Sequence, residues 1–146
     1  MENNNVDFLN YIIKNAEMGI SSTTEIITIV HDPDFKNLLL GQIEEYQDIY
    51  NLANELLEEY KEDKKDISNL EKITSYIILK LNLFVDKSTS HIVEIMMKES
   101  NMGIIDIEKK LNCYNEISKN VEQLGRKLLK AEEKKIKHLK PFLKEQ

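Results

Sequence analysis

The chain has 146 residues, enough for one domain whose core needs no disulfide or metal ion to hold it together. Hydrophobic residues make up 41% and charged residues 32%, with four Gly, two Pro and no Trp, a composition typical of long helices rather than sheets. The formal net charge of −6 and a single arginine, Arg126, argue against the basic surface that binds nucleic acid, so we expect no nucleic-acid partner.

The first helix is predicted over residues 5–31, where apolar residues are spaced alternately three and four positions apart. This spacing places them on one buried face, formed by Val6, Leu9, Ile13, Ala16, Ile20, Ile27 and Val30. Asp32-Pro33-Asp34 ends the helix, because proline disfavours a helical residue before it, and Asp34 can cap the helix that follows.

A second helix of similar length is predicted over residues 34–61. Its apolar and aromatic stripe comprises Phe35, Leu39, Ile43, Tyr46, Tyr50, Ala53, Leu57 and Tyr60. Because only the short turn at Asp32-Pro33-Asp34 joins the two helices, we expect them to be antiparallel neighbours. A polar stretch from Lys61 to Asp66 follows the second helix.

Helical spacing of apolar residues then continues from residue 67 to residue 112. One uninterrupted helix of that length would extend roughly 67 Å, far longer than the first two. Ser88, Thr89 and Ser90 can cap a helix, so we predict a break beside them, with a crossover helix over 67–86 and a further helix over 88–112.

The last helix is predicted over residues 115–143, with Pro141 close enough to its end to do little damage. The pattern as a whole predicts an all-α fold, an antiparallel four-helix bundle in a single domain spanning residues 1–146. The crossover helix connects the second and third helices of this bundle.

Two heptapeptides resemble each other: Lys14 to Ile20 reads KNAEMGI, and Lys98 to Ile104 reads KESNMGI. A duplicated helical hairpin would explain the match, with Gly19 and Gly103 each letting two helices approach closely. Chance similarity is the alternative for so short a segment.

Cys113 is the only cysteine, so no internal disulfide can form, which suits a reducing compartment. The first ten residues lack the pattern of a signal peptide, and no apolar run reaches the roughly 18 residues of a transmembrane segment. We therefore expect a cytoplasmic protein.

Two helical hairpins, a long crossover and the pair Glu132-Glu133 late in the last helix resemble the ferritin-like superfamily. Active members hold two metal ions with one Glu on each of two helices and Glu-x-x-His on the other two. This chain has no Glu-x-x-His. The resemblance therefore implies a ferritin-like bundle with a degenerate di-metal site.

Helical spacing predicts an inner polar layer in the bundle, formed by Glu17, Gln42, Glu45, Tyr46, Glu132 and Lys135. Glu132 and Lys135 both point towards the middle of the apolar stripe, so a Glu-x-x-Lys pair takes the place of Glu-x-x-His. An inner ammonium would neutralise the carboxylates and oppose the entry of a metal cation. Alternatively, Lys135 extends to solvent and Glu132 lies at the edge of the bundle.

From these features we expect a non-enzymatic protein that binds no cofactor and acts through protein contacts, as a homodimer or with another helical protein. Between Ile92 and Met97 only Glu94 is polar, so this segment must be covered on more than one side, by the crossover helix or by a second copy. The interface candidates are Ile92, Ile95, Met96 and Met97.

The alternative function is that of a carboxylate-bridged iron or manganese protein of oxidoreductase type, with a reduced set of ligands. Its ligands would be drawn from Glu17, Glu45, Glu99 and Glu132.

Overall fold

Four α-helices form the part of the chain that the computed structural model describes, residues 2–60 and 88–145, with side chains from residue 4 onwards. Helix α1 spans Glu2–Ile27, α2 Pro33–Glu59, α3 Thr89–Cys113 and α4 Lys119–Leu139, and a 3-10 turn follows at Lys140–Phe142. The predicted all-helical class is confirmed. The predicted crossover helix over 67–86 lies outside the described residues.

The turn between α1 and α2 differs from the prediction at both helix ends. Helix α1 ends four residues early, and the amides of Thr28 and Ile29 bond to carbonyls three residues back, the tight last turn of a helix. The cap of α2 is Asp32 rather than Asp34. Its Oδ1 accepts from the backbone amides of Asp34 at 2.9 Å and Phe35 at 3.2 Å.

Helix α3 begins where the sequence predicts a break. Ser88 is its N-cap, and the Ser88 hydroxyl accepts from the backbone amide of His91 at 3.3 Å. Helix α4 begins at Lys119, four residues later than predicted. The residue before it is held by Asn5 of α1, whose side-chain oxygen accepts from the backbone amide of Ser118 at 2.8 Å.

The direction of each helix follows from contacts at its two ends. Helices α1 and α2 pack as one antiparallel hairpin, and α3 and α4 pack as another. Tyr60 contacts Ser118 at one end of the bundle, with 3.2 Å between their hydroxyls, and the rings of Phe35 and Phe142 lie 5.2 Å apart at the other. Helices α2 and α4 are therefore antiparallel, so α2 and α3 run in the same direction.

Among the described residues, the apolar core is divided into two clusters. One cluster, here called the Phe8 cluster, contains Phe8, Ile12, Ile49, Ala53, Ile107, Val121 and Leu128, among others. The other, the Phe35 cluster, contains Ile26, Val30, Phe35, Leu39, Ile92, Val93, Ile95, Met96 and Leu139. On every helix the buried residues of the two clusters are separated by about two to three turns, and buried polar side chains occupy that gap.

Three of the four interface candidates lie inside this core. Ile92 is fully buried, Ile95 and Met96 are 6% and 5% exposed, and the partly buried Met97 packs against the same cluster. The chain's own α1, α2 and α4 cover this segment. These interface candidates are therefore buried within the chain and are not available for contact with a second copy, one of the two coverings that the sequence allowed.

None of the helices in the two described ranges has the combination of length and hydropathy that crossing a membrane requires.

Candidate functional site

The buried polar layer between the two clusters is the candidate functional site. Each helix contributes at least one side chain to it, and its buried members are Glu17, Thr23, Gln42, Ser100 and Glu132, together with the hydroxyl of Tyr46. Four of the six residues predicted for an inner layer are buried here: Glu17, Gln42, Tyr46 and Glu132. Lys135, another of the six, is half-buried at the edge of the layer.

Tyr46 joins α2 to α4 at the centre of the layer. Its hydroxyl donates to Glu132 Oε1 at 2.6 Å and accepts from Lys135 Nζ at 3.1 Å. The ammonium also lies 5.3 Å from the centroid of the tyrosine ring. A tyrosine hydroxyl thus stands between the lysine and the carboxylate that the sequence analysis treated as a direct pair.

The environment of Tyr46 keeps its hydroxyl protonated. Burial raises the pKa of Tyr46 well above its ordinary value, and the negative charge and hydrogen bond of Glu132 raise it further. At neutral pH the hydroxyl is therefore a hydrogen-bond donor to Glu132. An O–H to carboxylate bond of this length is a strong, charge-assisted one.

Glu45 does not belong to the layer. Its carboxylate pairs with the ammonium of Lys134 on the outside of the bundle, between α2 and α4. The predicted position was wrong because Glu45 lies one residue from Tyr46, and a helix turns by about 100° per residue. That rotation is enough to move a side chain from the core to the surface.

The four carboxylates of the alternative metal site are not brought together. Glu17 and Glu132 are buried in the layer and Glu99 is partly buried, but Glu45 faces outwards. Within residues 2–60 and 88–145, no group of three or more His, Cys, Asp or Glu side chains is placed to hold a metal ion.

Gly19 provides the space that the Tyr46 ring occupies. A Cβ atom at this position would lie 2.5 Å from Cε2 of the ring, closer than such atoms can come. The predicted close approach is therefore confirmed at Gly19. It is wrong at Gly103, where a Cβ atom would have no described atom within 4 Å.

A cleft of about 650 Å³ opens between α1 and α3, above the polar layer. Tyr46, Glu132 and Lys135 line its floor. Its walls are formed by Tyr11, Lys14, Asn15, Met18, Gly19 and Ser22 of α1, and by Glu99, Ser100, Met102, Gly103, Ile105, Asp106 and Lys109 of α3. The backbones of α1 and α3 lie farther apart than the backbones of the two helices within each hairpin.

The two similar heptapeptides lie opposite each other across this cleft. Three pairs of equivalent residues line its walls: Asn15 with Glu99, Met18 with Met102, and Gly19 with Gly103. The match in sequence thus corresponds to a match in position.

The sequence analysis missed two polar residues of the layer, Ser100 and Thr23, which are 3% and 0% exposed. Ser100 lies within the second heptapeptide, so the repeat was a signal that could have identified it. Thr23 had no such signal, since threonine occurs on all faces of helices and its hydroxyl commonly bonds within its own helix.

In comparisons with known proteins, the chain matches no protein-family model, no curated protein and no solved structure.

Proposed function

We propose that this chain is a non-enzymatic, ferritin-like helical bundle that acts through protein contacts, self-associating by the outward face of α3. Two features support the ferritin-like type. Helices α2 and α3 run in the same direction, as in bundles with one long crossover, and the polar side chains converge halfway along the bundle, where such proteins build their sites.

The contacts of Glu132 support a role without metal chemistry. One carboxylate oxygen accepts the proton of Tyr46, and the ammonium of Lys135 stands directly behind that hydroxyl. A positive charge held 3.1 Å from the hydroxyl that bonds to Glu132 opposes the entry of a metal cation. In this proposal the lysine supplies the positive charge that metal ions supply in active ferritin-like proteins.

The observation that carries the proposed contact surface is the exposure of two large apolar side chains on α3. Met102 is 65% exposed and Ile105 is 56% exposed, and they lie three residues apart, on one face of the helix at the rim of the cleft. Adjacent exposed apolar residues favour a protein interface more than single scattered ones do. Methionine adapts its shape readily to a partner surface.

A second copy of the chain is the partner we propose for this surface. Most soluble assemblies are homo-oligomers, and two-fold dimers are the commonest, because one apolar patch meets its own copy.

The exposed, single Cys113 suits a reducing compartment, which agrees with a cytoplasmic protein.

Light scattering after gel filtration tests the proposal. We expect wild-type protein at high micromolar concentration to have twice the chain mass of 17.1 kDa. Ile105→Glu should shift it to the monomer mass, because a charge would be buried in the interface. Leu40→Glu is the matched control, since Leu40 is 51% exposed on α2, away from this surface, and should leave the dimer unchanged. A monomeric wild type, or equal effects of the two variants, contradicts the proposal.

A further inference from the structure

The floor of the α1–α3 cleft has buried hydrogen-bonding atoms that no described residue satisfies. Tyr46 occupies Oε1 of Glu132, whereas Oε2 has no partner among the described residues, and neither does the hydroxyl of Ser100. Both residues line the cleft and are no more than 5% exposed. Because buried polar atoms in folded proteins are nearly always paired, these atoms point to a molecule bound at the floor.

The charges at the floor restrict the chemistry of that molecule. Lys135 has three N–H donors and gives one of them to Tyr46, and Glu132 Oε2 can only accept. A cation would be repelled by the ammonium, and an anion by the carboxylate. A neutral group with a donor beside an acceptor can bond to both, and Ser100 can serve as either.

The walls restrict its shape. Met18 and Met102 occupy equivalent positions in the two heptapeptides and flank the cleft from opposite sides. Thioether groups make favourable contacts with aromatic rings, so two methionines facing each other suit a flat ring between them. The volume of about 650 Å³ lies within the range of small-molecule sites.

We propose that this cleft binds a neutral, planar heteroaromatic molecule. Its ring lies between Met18 and Met102, and a donor and an acceptor on adjacent ring positions bond to Glu132 Oε2 and Lys135 Nζ. This binding does not depend on self-association, since the floor of the cleft is formed within one chain.

Adenine is the probe for this site, because its edge carries an amino donor beside a ring-nitrogen acceptor. The chain has five methionines, so NMR spectra of methyl-labelled methionine are simple to assign. We expect millimolar adenine to shift the signals of Met18 and Met102. The signals of Met96 and Met97, which belong to or contact the Phe35 cluster, serve as internal controls and should not move.

Two matched controls test the hydrogen bonds. The 9-methyl derivatives lack the second donor of the purine, its ring N–H, and of these the 6-dimethylamino compound has no donor left, so it should bind at least about tenfold more weakly than 9-methyladenine. In Glu132→Gln the oxygen stays with Tyr46 and an NH₂ group faces the ligand, so adenine should bind about tenfold more weakly. Ser100→Ala is a second variant with a smaller expected loss, should Glu132→Gln fail to fold.

Three outcomes would overturn the proposal: no shift of Met18 and Met102 with millimolar adenine, equal binding of the two 9-methyl derivatives, or unchanged binding by both folded variants. Adenine binding is measured at protein concentrations at which light scattering finds the wild-type monomer, so no variant of the cleft wall is needed to separate the two proposals. The ligand site is thus tested in the absence of the dimer, and either proposal can fail without the other.

Discussion

The ring of Tyr46 lies directly on the backbone of Gly19, in the space that a side chain would otherwise take. This contact between α1 and α2 positions the tyrosine hydroxyl at the centre of the polar layer, within 2.6 Å of Glu132. Glycine is required here because any side chain would overlap the tyrosine ring. Its backbone angles are not unusual.

Replacing this glycine should destabilise the protein. Gly19→Ala forces the Tyr46 ring to move, and we expect a loss of about 1–3 kcal/mol in the free energy of unfolding, as for other overpacked cores. Gly103→Ala is the matched control, because its new methyl group would meet no described atom within 4 Å. Alanine favours a helix over glycine, so that variant should gain up to about 1 kcal/mol. Urea melts that rank the two variants in the opposite order contradict this account.

Tyr46 should contribute more to stability than Lys135 does. Tyr46→Phe leaves Glu132 buried without its donor, which should cost about 2–3 kcal/mol. Lys135→Met removes one hydrogen bond from a half-buried ammonium while the bond from Tyr46 to Glu132 remains, so we expect a loss of about 1 kcal/mol. Chemical denaturation of the two variants checks the difference. A larger loss for Lys135→Met would restore the direct pair of Lys135 and Glu132.

Stability should fall in alkali because of the buried tyrosines. Burial raises the pKa of Tyr46, and also that of Tyr11, above the ordinary tyrosine value of about 10. Above that pH the unfolded chain loses protons that the folded chain keeps, so raising the pH favours unfolding. The contribution is fully present below about pH 10 and is lost progressively above it.

Urea melts at a series of pH values from about 7 to 11 measure this effect. Tyr46→Phe lacks one of the tyrosines with a raised pKa, so its stability should fall less steeply than that of wild type between about pH 10 and 11. The two proteins have the same lysines, so the ionisation of lysine does not account for the difference. Equal slopes for the two proteins would show that Tyr46 ionises in the folded chain as readily as in the unfolded one.

The cap of α2 gives a prediction in which sequence and structure differ. Asp32→Ala removes the carboxylate that bonds to two backbone amides and should cost about 1 kcal/mol. Asp34→Ala removes only a negative charge in the first turn, which should cost a few tenths of a kcal/mol. Thermal melts of both variants decide between them, and a greater loss for Asp34→Ala would support the original assignment.

The helices were predictable because their signal is local. Apolar spacing identified all four helices, and the small cap residues near Ser88 located the start of α3. The cap of α2 was predicted two residues too late, since both Asp32 and Asp34 are suitable cap residues and flank the same proline. Only the backbone geometry of the turn decides which carboxylate reaches the free amides.

The site was less predictable because it depends on how helices rotate against one another. Tyr46 and Glu45 are neighbours in sequence, yet one bonds to Glu132 in the core and the other to Lys134 outside. Spacing alone also suggested that Lys135 pairs directly with Glu132. The structure places the hydroxyl of Tyr46 between them, and spacing within α4 could not reveal it because Tyr46 belongs to α2. The apolar segment from Ile92 to Met97 correctly indicated covering on several sides, but spacing does not tell a chain's own helices from those of a second copy.

The division of the core by a polar layer also fixes how far each helix can slide along its neighbours. Apolar side chains are interchangeable enough that a helix displaced by one turn, about 5.4 Å, could still fill much of either cluster. The same displacement would separate Glu132 from Tyr46, and in one direction it would carry the carboxylate to the level of Leu128 in the Phe8 cluster. Buried polar groups of this kind select one register of helices at some cost in stability. The layer therefore favours a single alignment of the helices.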